Sequence, residues 1–457
     1  PPPPPPPPPL FFFNDYDGIL DALVSRGLGD VYKRQLLMSN ESNMSDLWKR
    51  LRFVFFAILV YRIGTHIPIP GIDPDRLAAL FQQNQGTIIE MFNLFSGGAL
   101  ERMSIFALNV VPYISSAIIM QLFSNSIPYL QELKKDGQAG RNKITQYTRY
   151  GTAILAFIQA SALAVTLSAS GLAYVPGPTF FVSAVFSVVA GTMFLMWLGE
   201  QVSDRGIGNG ISIIIATSIL TGIPGAIGQA LEQSRQGDLS ILLLIGIGLL
   251  SMAVIAVVVF IERGQRRITV NYAQRQQGRR LMQAQTSHLP FKVNMAGVIP
   301  AIFASTFLLF PASLSTWFGE NESLSFLQSF SLALNPGQPL YILVFAGLII
   351  SFCFIWLALT FNTKDVSDNL KRSGAYIAGI RPGEQTANYI DSVLARLTVF
   401  GAIYLTLICL LPLALINFAG ISPTISIGGT SVLIIVVVLM DFMAQVQSHM
   451  MLSLIHI

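Results

Sequence analysis

The sequence predicts an all-α polytopic membrane protein, and three features of the chain support this fold class. Of the 457 residues, 52% are hydrophobic and only 11% are charged, which leaves too little polar surface to dissolve a globule of this size. Ten apolar runs are long enough to cross a bilayer as helices. Lysine and arginine concentrate in every second gap between these runs, as expected when alternate loops stay in the cytosol.

The ten runs define the predicted spans in chain order. A helix needs roughly 20 apolar residues to cross the hydrocarbon core. The sixth and tenth runs are nearly unbroken in Leu, Ile and Val, whereas the second carries polar residues such as Gln121 and Asn125 and is not expected to face lipid all round. The spans are 53–69, 108–127, 150–175, 180–198, 211–227, 239–261, 295–311, 340–361, 397–418 and 427–446.

The basic residues predict the orientation of the bundle. Clusters of Lys and Arg lie in the gaps on one side, and the largest occupy loops 262–294 and 362–396. The opposite gaps hold only Arg76, Arg102 and Arg235. Positive residues beside spans stay in the cytosol. We therefore expect the N-terminal segment 38–52, both basic loops and the C-terminus to be cytosolic.

The two ends of the chain differ in composition from the rest. Residues 1–9 are all proline, and the stretch after them has neither helical nor strand periodicity. This stretch also lacks the order of a secretory signal, which has a basic start, an apolar middle and a small-residue cleavage site. We expect residues 1–37 to be an artefactual or disordered extension, with Met38 or Met44 as the true start, and residues 452–457 to be a spurious end.

A short apolar segment, residues 97–107, lies between the first two spans. It is too short to cross the membrane, and it contains Glu101 and Arg102. Each charge at the bilayer centre would cost roughly 2.5–3.5 kcal/mol. The segment is therefore predicted to be either a re-entrant helix in a wet cavity or an amphipathic helix at the interface.

The first large basic loop is predicted to project from the membrane as a hairpin. Its apolar residues Ile268, Val270 and Tyr272 alternate with Thr269 and Asn271, which is the pattern of a half-buried strand. A solvated loop that only fixes the topology is the alternative, and it explains the sign of the charge but not the size of the loop.

No residue pattern predicts a metal, a cofactor or a catalytic centre. Cys353 and Cys409 fall inside predicted spans without ligand spacing, and the four histidines are scattered. The glycine-rich run 206–210 has no preceding strand, so it is predicted to be a tight turn in which Asn209 and the glycines tolerate positive φ. No GxxxxGK[ST] motif occurs, so a partner would have to supply energy.

Seven longer stretches, in the same order and at the same spacing, resemble the SecY family over residues 47–451. They are Ile67-Pro68-Ile69-Pro70-Gly71-Ile72, Phe95-Ser96-Gly97-Gly98-Ala99-Leu100, Gln146-Tyr147-Thr148-Arg149-Tyr150-Gly151, Met196-Trp197-Leu198-Gly199-Glu200, Gly206-Ile207-Gly208-Asn209-Gly210-Ile211-Ser212, Asn294-Met295-Ala296-Gly297-Val298-Ile299-Pro300-Ala301-Ile302 and Gly379-Ile380-Arg381-Pro382-Gly383-Glu384-Gln385-Thr386. The resemblance implies the channel of the bacterial Sec translocase, which passes unfolded preproteins outward and releases apolar segments sideways into lipid.

The resemblance also implies an architecture of two inverted five-helix halves, residues 53–230 and 231–451, with a short re-entrant plug helix over about residues 97–107. Its plug residues would be Gly97, Gly98, Ala99, Leu100, Ser104, Ile105 and Phe106, with the two glycines as hinge. A ring of apolar side chains at the waist of the pore would comprise Val110, Ile114, Ile211, Ile215, Ile302 and Ile434. Such a ring gates by dewetting, although ordinary helix packing also explains apolar residues in spans.

Partners follow from the same resemblance. They are SecE-like and SecG-like subunits, the SecA motor, the ribosome, preproteins with their signal sequences, and lipid of the bacterial cytoplasmic membrane. Arg279, Arg280 and Arg381 are the expected docking residues, because ribosomal RNA attracts positive charge. Gln274 stands where the family carries lysine, which removes one phosphate contact. Gln121 and Asn294 would line a lateral gate, unless they only make helix-to-helix hydrogen bonds.

A secondary transporter is the main alternative, because this class also uses inverted repeats and broken helices. It would need charged or ion-binding residues at mid-span, whereas Arg62 and Asp441 lie near the ends of theirs. An intramembrane enzyme would need a nucleophile with its base, or a metal set, and the sequence contains no such motif. The sequence therefore favours a passive channel.

Overall fold

The structure is a computed structural model, and it describes the backbone of residues 29–73, 76–77, 93, 96–175, 177–237, 240–272, 276–277, 280–281, 286–318, 338–419 and 429–455. Among these residues the helices are α1 (Gly29–Gly64), α2 (Val111–Ser126), α3 (Pro128–Lys135), α4 (Gly137–Ala169), α5 (Pro178–Arg205), α6 (Gly210–Gln236), α7 (Ile241–Arg263), α8 (Ile299–Phe318), α9 (Pro339–Thr360), α10 (Thr363–Arg372), α11 (Glu384–Ala419) and α12 (Gly429–Ile455). The strands are β1 (Gln265–Tyr272), β2 (Gln276–Gln277), β3 (Arg280–Leu281), β4 (Thr286–Lys292) and β5 (Ala375–Tyr376).

A helix overlaps each of the ten predicted spans, so the predicted all-α membrane fold is confirmed. By length and composition alone, seven of the described helices are apolar and long enough to cross a membrane. The ten are completed by α1, whose first half is polar, by the 16-residue α2, and by α8. The short helices α3 and α10 lie between spans on the basic side.

The turn between α5 and α6 shows how the sequence reverses the chain. Gly208 has a φ of +91°, which favours glycine. Asn209 instead has a φ of −81°, and its side-chain oxygen accepts from the backbone N–H groups of Ile211 and Ser212. The predicted tight turn is therefore present, but Asn209 acts as the N-cap of α6 rather than as a residue with positive φ.

Contacts between loops show that alternate loops share a side. Arg50, before the first span, donates to the carbonyl of Gly206, between the fourth and fifth spans, at 3.4 Å. On the opposite side, Arg76 donates to the carbonyl of Gly171 at 3.0 Å. Strand β5, between the eighth and ninth spans, pairs with β1, between the sixth and seventh. These contacts match the predicted alternation of the loops.

The two basic loops form one small sheet. Strand β1 pairs antiparallel with β4 on one edge and with β5 on the other. Ile268 and Val270 are buried, whereas Tyr272 is partly exposed, so the alternation predicted for this strand is confirmed for its first two apolar residues. They pack with Phe291 of β4 and with the first turns of α11. The sheet thus stands on a long helix of the second half.

The helices pack as two groups that meet across a shared core. In the first half α4 contacts both α2 and α5, and in the second half α9 contacts both α8 and α11. Helix α12 crosses the boundary to contact α1 and α6, and α2 contacts α8. One apolar cluster runs through both groups and includes Leu195 and Ile219 from the first half and Phe345 and Leu433 from the second.

The segment predicted to be a plug helix takes another conformation. Residues 97–110 form consecutive turns without an α-helix, and the helical residues described before them are Asn93 and Ser96. Positive φ at Gly97, Gly98 and Met103 breaks the helical repeat. The segment pairs with the chain that follows α1, through Pro68 and Ser104, and leads into α2 at Val111.

Candidate functional site

All six residues expected to form an apolar ring belong to, or pack against, the one large apolar cluster that both halves share. Val110 is the N-cap of α2, and the other ring residues are on α2, α6, α8 and α12. Val110, Ile215, Ile302 and Ile434 are buried in the shared core, and the half-buried Ile114 and Ile211 pack against that core. Residues separated by more than three hundred positions in the chain thus meet in one cluster contributed by both halves.

Local structure brings the first-half ring residues close. Asn209 starts α6, so Ile211 and Ile215 lie one turn apart on its first two turns. Gly199 of α5 lets the neighbouring helix approach, because a Cβ there would lie 2.8 Å from Cγ1 of Ile211. If the expected ring forms, its branched apolar side chains would disfavour a continuous column of water.

The segment of residues 97–109, which we call the plug segment, is packed against the first half. The ring of Phe106 stacks between Tyr61 and Phe194, with centroid distances of 6.1 and 6.0 Å. Two glycines leave room for this packing. A Cβ on Gly64 would lie 2.0 Å from the ring of Phe106, and a Cβ on Gly191 would lie 2.0 Å from the carbonyl oxygen of Ile105.

Backbone hydrogen bonds attach the plug segment to the chain that follows α1. The amide of Ile69 donates to the carbonyl of Met103 at 2.8 Å, and the amide of Ile105 donates to the carbonyl of Ile67 at 3.0 Å. Together they form an antiparallel bridge in which Pro68 faces Ser104. The segment is therefore held by directional bonds as well as by apolar packing.

A cluster of buried, hydrogen-bonded polar side chains beside the plug segment was not predicted from the sequence. The hydroxyl groups of Tyr61 and Ser218 are 2.6 Å apart, and the amide of Asn109 donates to Ser218 Oγ at 3.1 Å. Tyr61 also donates to the carbonyl of Ser96 at 3.2 Å. These residues are far apart in the sequence and follow no periodic pattern, so the sequence offers no signal that joins them.

The two residues expected at a lateral gate do not lie together. Gln121 lines an apolar cavity between α2, α8 and α9, with Phe303, Phe352 and Trp356 among its neighbours. Asn294 instead donates to Glu262 Oε1 at 2.6 Å and to the carbonyl of Gly297 at 3.2 Å. Only Gln121 lies at a seam between the halves. For Asn294 the hydrogen-bonding alternative describes what the structure contains.

The structure describes some of the expected docking residues fully and others only in part or not at all. Arg381 is exposed, and its carbonyl accepts from the hydroxyl of Thr386 at 2.9 Å in the turn that leads into α11. Arg279 and Gln274 lie outside the described residues, and for Arg280 only the backbone, in β3, is described. Arg266 and Arg267 of β1, in the three-stranded sheet, are exposed as well.

Among the described residues, no group of three or more His, Cys, Asp or Glu side chains could hold a metal ion. Cys353 and Cys409 are free, buried thiols. Arg149 and Glu200, just outside the predicted third and fourth spans, form an ion pair that joins α4 to α5 through two bonds of 2.9 and 2.8 Å. This pair fixes two helices of the first half against each other.

Comparisons with known proteins show which proteins this chain is similar to. A family model described as SecY matches residues 104–443. A protein translocase subunit SecY of Pseudomonas aeruginosa is 62% identical over 411 residues, which cover 90% of this chain and 92% of that protein. The subunit of the same name from Escherichia coli K12 is 57% identical over 419 residues, which cover 91% and 94%.

Two solved structures have the same fold at low sequence identity. One is described as a protein-conducting channel, with a TM-score of 0.63 and 17% identity over 89% of this chain and 93% of that one. The other is Sec61 in the canine ribosome–channel complex from the endoplasmic reticulum, with a TM-score of 0.62 and the same identity and coverage. At this identity the likeness establishes the fold.

Proposed function

This chain belongs to the SecY family of protein translocase subunits, and we propose how its residues perform the work of a protein-conducting channel. The chain is a multi-pass membrane protein and a channel subunit of the Sec translocase. This assignment replaces the alternative of a small-solute transporter. We propose that the channel itself is passive, since the sequence lacks an ATP-binding motif, and that a partner drives transport.

One observation carries the residue-level proposal. The six ring residues come from both halves of the molecule and meet in one apolar cluster. A collar of branched side chains offers a translocating chain no strong hydrogen bonds, so it discriminates little between sequences. It also excludes a water column at rest. The ring therefore serves as a seal that yields when an extended polypeptide separates the two halves.

The plug segment is the second part of the proposed seal. It packs against α1 and α5 through Phe106 and lies next to ring residue Val110 along the chain. Gly97 and Gly98, both with positive φ, form a flexible point at its start. We assign Ala99, Leu100, Ser104 and Ile105 to the same moving unit, because they lie within the segment of turns.

The basic sheet is the proposed docking face for the ribosome and for a SecA motor. Arg266, Arg267 and Arg381 are exposed there, and RNA phosphates attract such groups. Arg279 and Arg280 belong to the same loop. From the positive charge of this face we also propose that it lies, with the N-terminus and the C-terminus, in the cytosol of a bacterial cell. SecE-like and SecG-like subunits are proposed from the family alone.

Lateral release of apolar segments is proposed at the seam between the halves. Gln121 lies there beside the aromatic side chains of α8 and α9. We therefore assign Gln121 to the gate and leave Asn294 as a link between α7 and α8.

Site-specific photo-crosslinking tests the ring. A benzophenone side chain is placed at Ile114 or Ile211, the half-buried ring positions, while a preprotein is stalled by a folded C-terminal domain. Leu249 of α7, which is 65% exposed, is the matched control because it faces outward. We expect crosslinks to the preprotein from the two ring positions only. Crosslinks from Leu249 alone would show that the ring does not line the path of the preprotein.

A further inference from the structure

A buried hydrogen-bonded group joins the plug segment to the first half, and we propose that it is a latch that holds the channel closed. We call Tyr61, Asn109 and Ser218, with the carbonyl of Ser96, the polar latch. This inference rests on the proposed function, because a latch is meaningful only if the plug segment moves. The three side chains come from α1, from the end of the plug segment and from α6.

All members of the polar latch are out of contact with solvent. The exposed fractions are 1% for Tyr61, 2% for Ser96, 2% for Asn109 and 0% for Ser218. A buried donor or acceptor that loses its partner keeps its desolvation cost without compensation. Moving the plug segment away therefore has to break or replace these bonds, which favours the seated position.

The hydrogen bonds of the latch form a consistent set. Ser218 Oγ donates to the carbonyl of Ile214 at 2.8 Å, and it accepts from Asn109 Nδ2. It can then also accept from the hydroxyl of Tyr61, which shares its proton with the carbonyl of Ser96. Ser218 is thus the hub, because both other side chains reach it. Removing its hydroxyl group breaks two links at once.

The position of the latch connects the plug segment to the apolar ring. Asn109 directly precedes Val110, and Ser218 is on the turn of α6 that follows Ile215. Ser96 directly precedes Gly97, at the other end of the segment. The latch therefore fixes both ends of residues 97–109 against α1 and α6. It lies beside α2 and α6, the two helices of the first half that carry ring residues. Its members are positioning residues, since none of them is assigned to contact the translocating chain.

Conservative substitutions can open the latch without rebuilding the backbone. Asn109 has a φ of +49°, which glycine adopts without strain, so Asn109→Gly removes only the amide. Ser218→Ala retains the helix, and Tyr61→Phe retains the stacking on Phe106. The control is Thr217→Val on the same helix, because the Thr217 hydroxyl bonds to the carbonyl of Ile213 within α6.

The test measures the position of the plug segment directly. Ser104, buried in the plug segment, is replaced by cysteine in the full channel complex, and an impermeant maleimide is applied from the outer side. Each latch variant should raise the labelling rate and the resting ion leak by at least about fivefold, the typical effect of one net hydrogen bond, and Ser218→Ala should raise them more because it breaks two links. Thr217→Val should change neither. The double variant of Asn109→Gly and Ser218→Ala should change labelling and leak by less than the product of the two single effects, because the two side chains share one bond.

Export of an ordinary preprotein separates the possible failures. If the parent complex does not export, the proposed function fails. If it exports, but the three latch variants label and leak like the parent or like Thr217→Val, the latch is refuted and the channel assignment stands. A fully additive double variant would show that Asn109 and Ser218 act separately, which also overturns the proposal. Thermal melting of each variant confirms that labelling does not come from unfolded protein.

Discussion

The ring residues differ in how completely they are packed. Val110 and Ile434 are 1% and 0% exposed, whereas Ile114 and Ile211 are only half-buried. The half-buried side chains are therefore partly accessible, whereas the other two are enclosed by the core. In the proposed seal, their apolar surface rather than any hydrogen bond opposes the entry of water and ions.

Replacing two of these side chains with serine should allow water to enter between the ring residues. A buried isoleucine contributes roughly 1.5–3 kcal/mol of apolar burial, and a hydroxyl group also binds water. We expect the double variant Ile114→Ser and Ile215→Ser to raise the resting ion conductance of reconstituted vesicles at least about tenfold, which corresponds to about 1.4 kcal/mol. The matched control is Ile154→Ser on α4, where the side chain is 62% exposed. Equal conductance in the two variants would argue against the ring.

Residue roles were predictable only where the family resemblance supplied them. Ile and Val are common in every span, so composition alone does not distinguish Ile215 from its neighbours. The polar latch shows the opposite difficulty. Tyr61 and Ser218 are separated by 157 residues, and single polar residues in spans usually bond within their own helix. Their pairing depends on the angle between α1 and α6, which no sequence periodicity encodes.

At the scale of elements, glycine positions decide how the plug segment packs on its helices. The approach at Gly191 is to a backbone atom, the carbonyl oxygen of Ile105, which cannot rotate away as a side chain can. A methyl group there would push the plug segment off α5. Overpacking of this kind typically costs about 1–3 kcal/mol.

Gly191→Ala should therefore lower the melting temperature of the purified channel and raise its resting ion conductance together. Gly246→Ala on α7 is the matched control, because nothing lies within 4 Å of a Cβ at that position. The control should be neutral or slightly stabilised, by up to about 1 kcal/mol, since alanine is the better helix former. A Gly191→Ala variant with unchanged conductance would mean that the plug segment does not need its position beside α5.

The sequence predicted some helices and strands better than others. Strand β1 was predicted because Ile268 and Val270 alternate with polar residues, but β5 was not, because two residues carry no period. Helix α4 begins at Gly137, well before its predicted span at 150, because hydropathy marks the part in lipid and not the start of hydrogen bonding. The plug segment was predicted as a helix and forms turns, since positive φ at Met103 and Asn109 depends on tertiary contacts.

At the scale of the whole molecule, charge and connectivity describe the same two faces. The loops that pair through β1 and β5 are the two most basic, and the loops joined by Arg76 and Gly171 are poor in lysine and arginine. The distribution of basic residues comes from the sequence, whereas the contacts between loops come from the structure. The two observations are independent, and both assign the loops to the same two faces. The bundle is therefore two-sided, with a basic sheet on one face and the plug segment on the other.

Cysteine accessibility tests this two-sidedness in intact cells. Ser170, in the turn after α4, and Ser373, after α10, are both exposed, so a cysteine at either position should react with an impermeant maleimide that can reach it. We expect Ser170→Cys to be labelled from outside the cell and Ser373→Cys only in inverted vesicles, because the basic face stays in the cytosol. The native cysteines are buried and set the background, which the parent chain measures. Labelling of both variants from one side would require an even number of crossings between Ser170 and Ser373, whereas the fold has five, α5 to α9. An exchange of sides would keep the fold and reverse the proposed orientation.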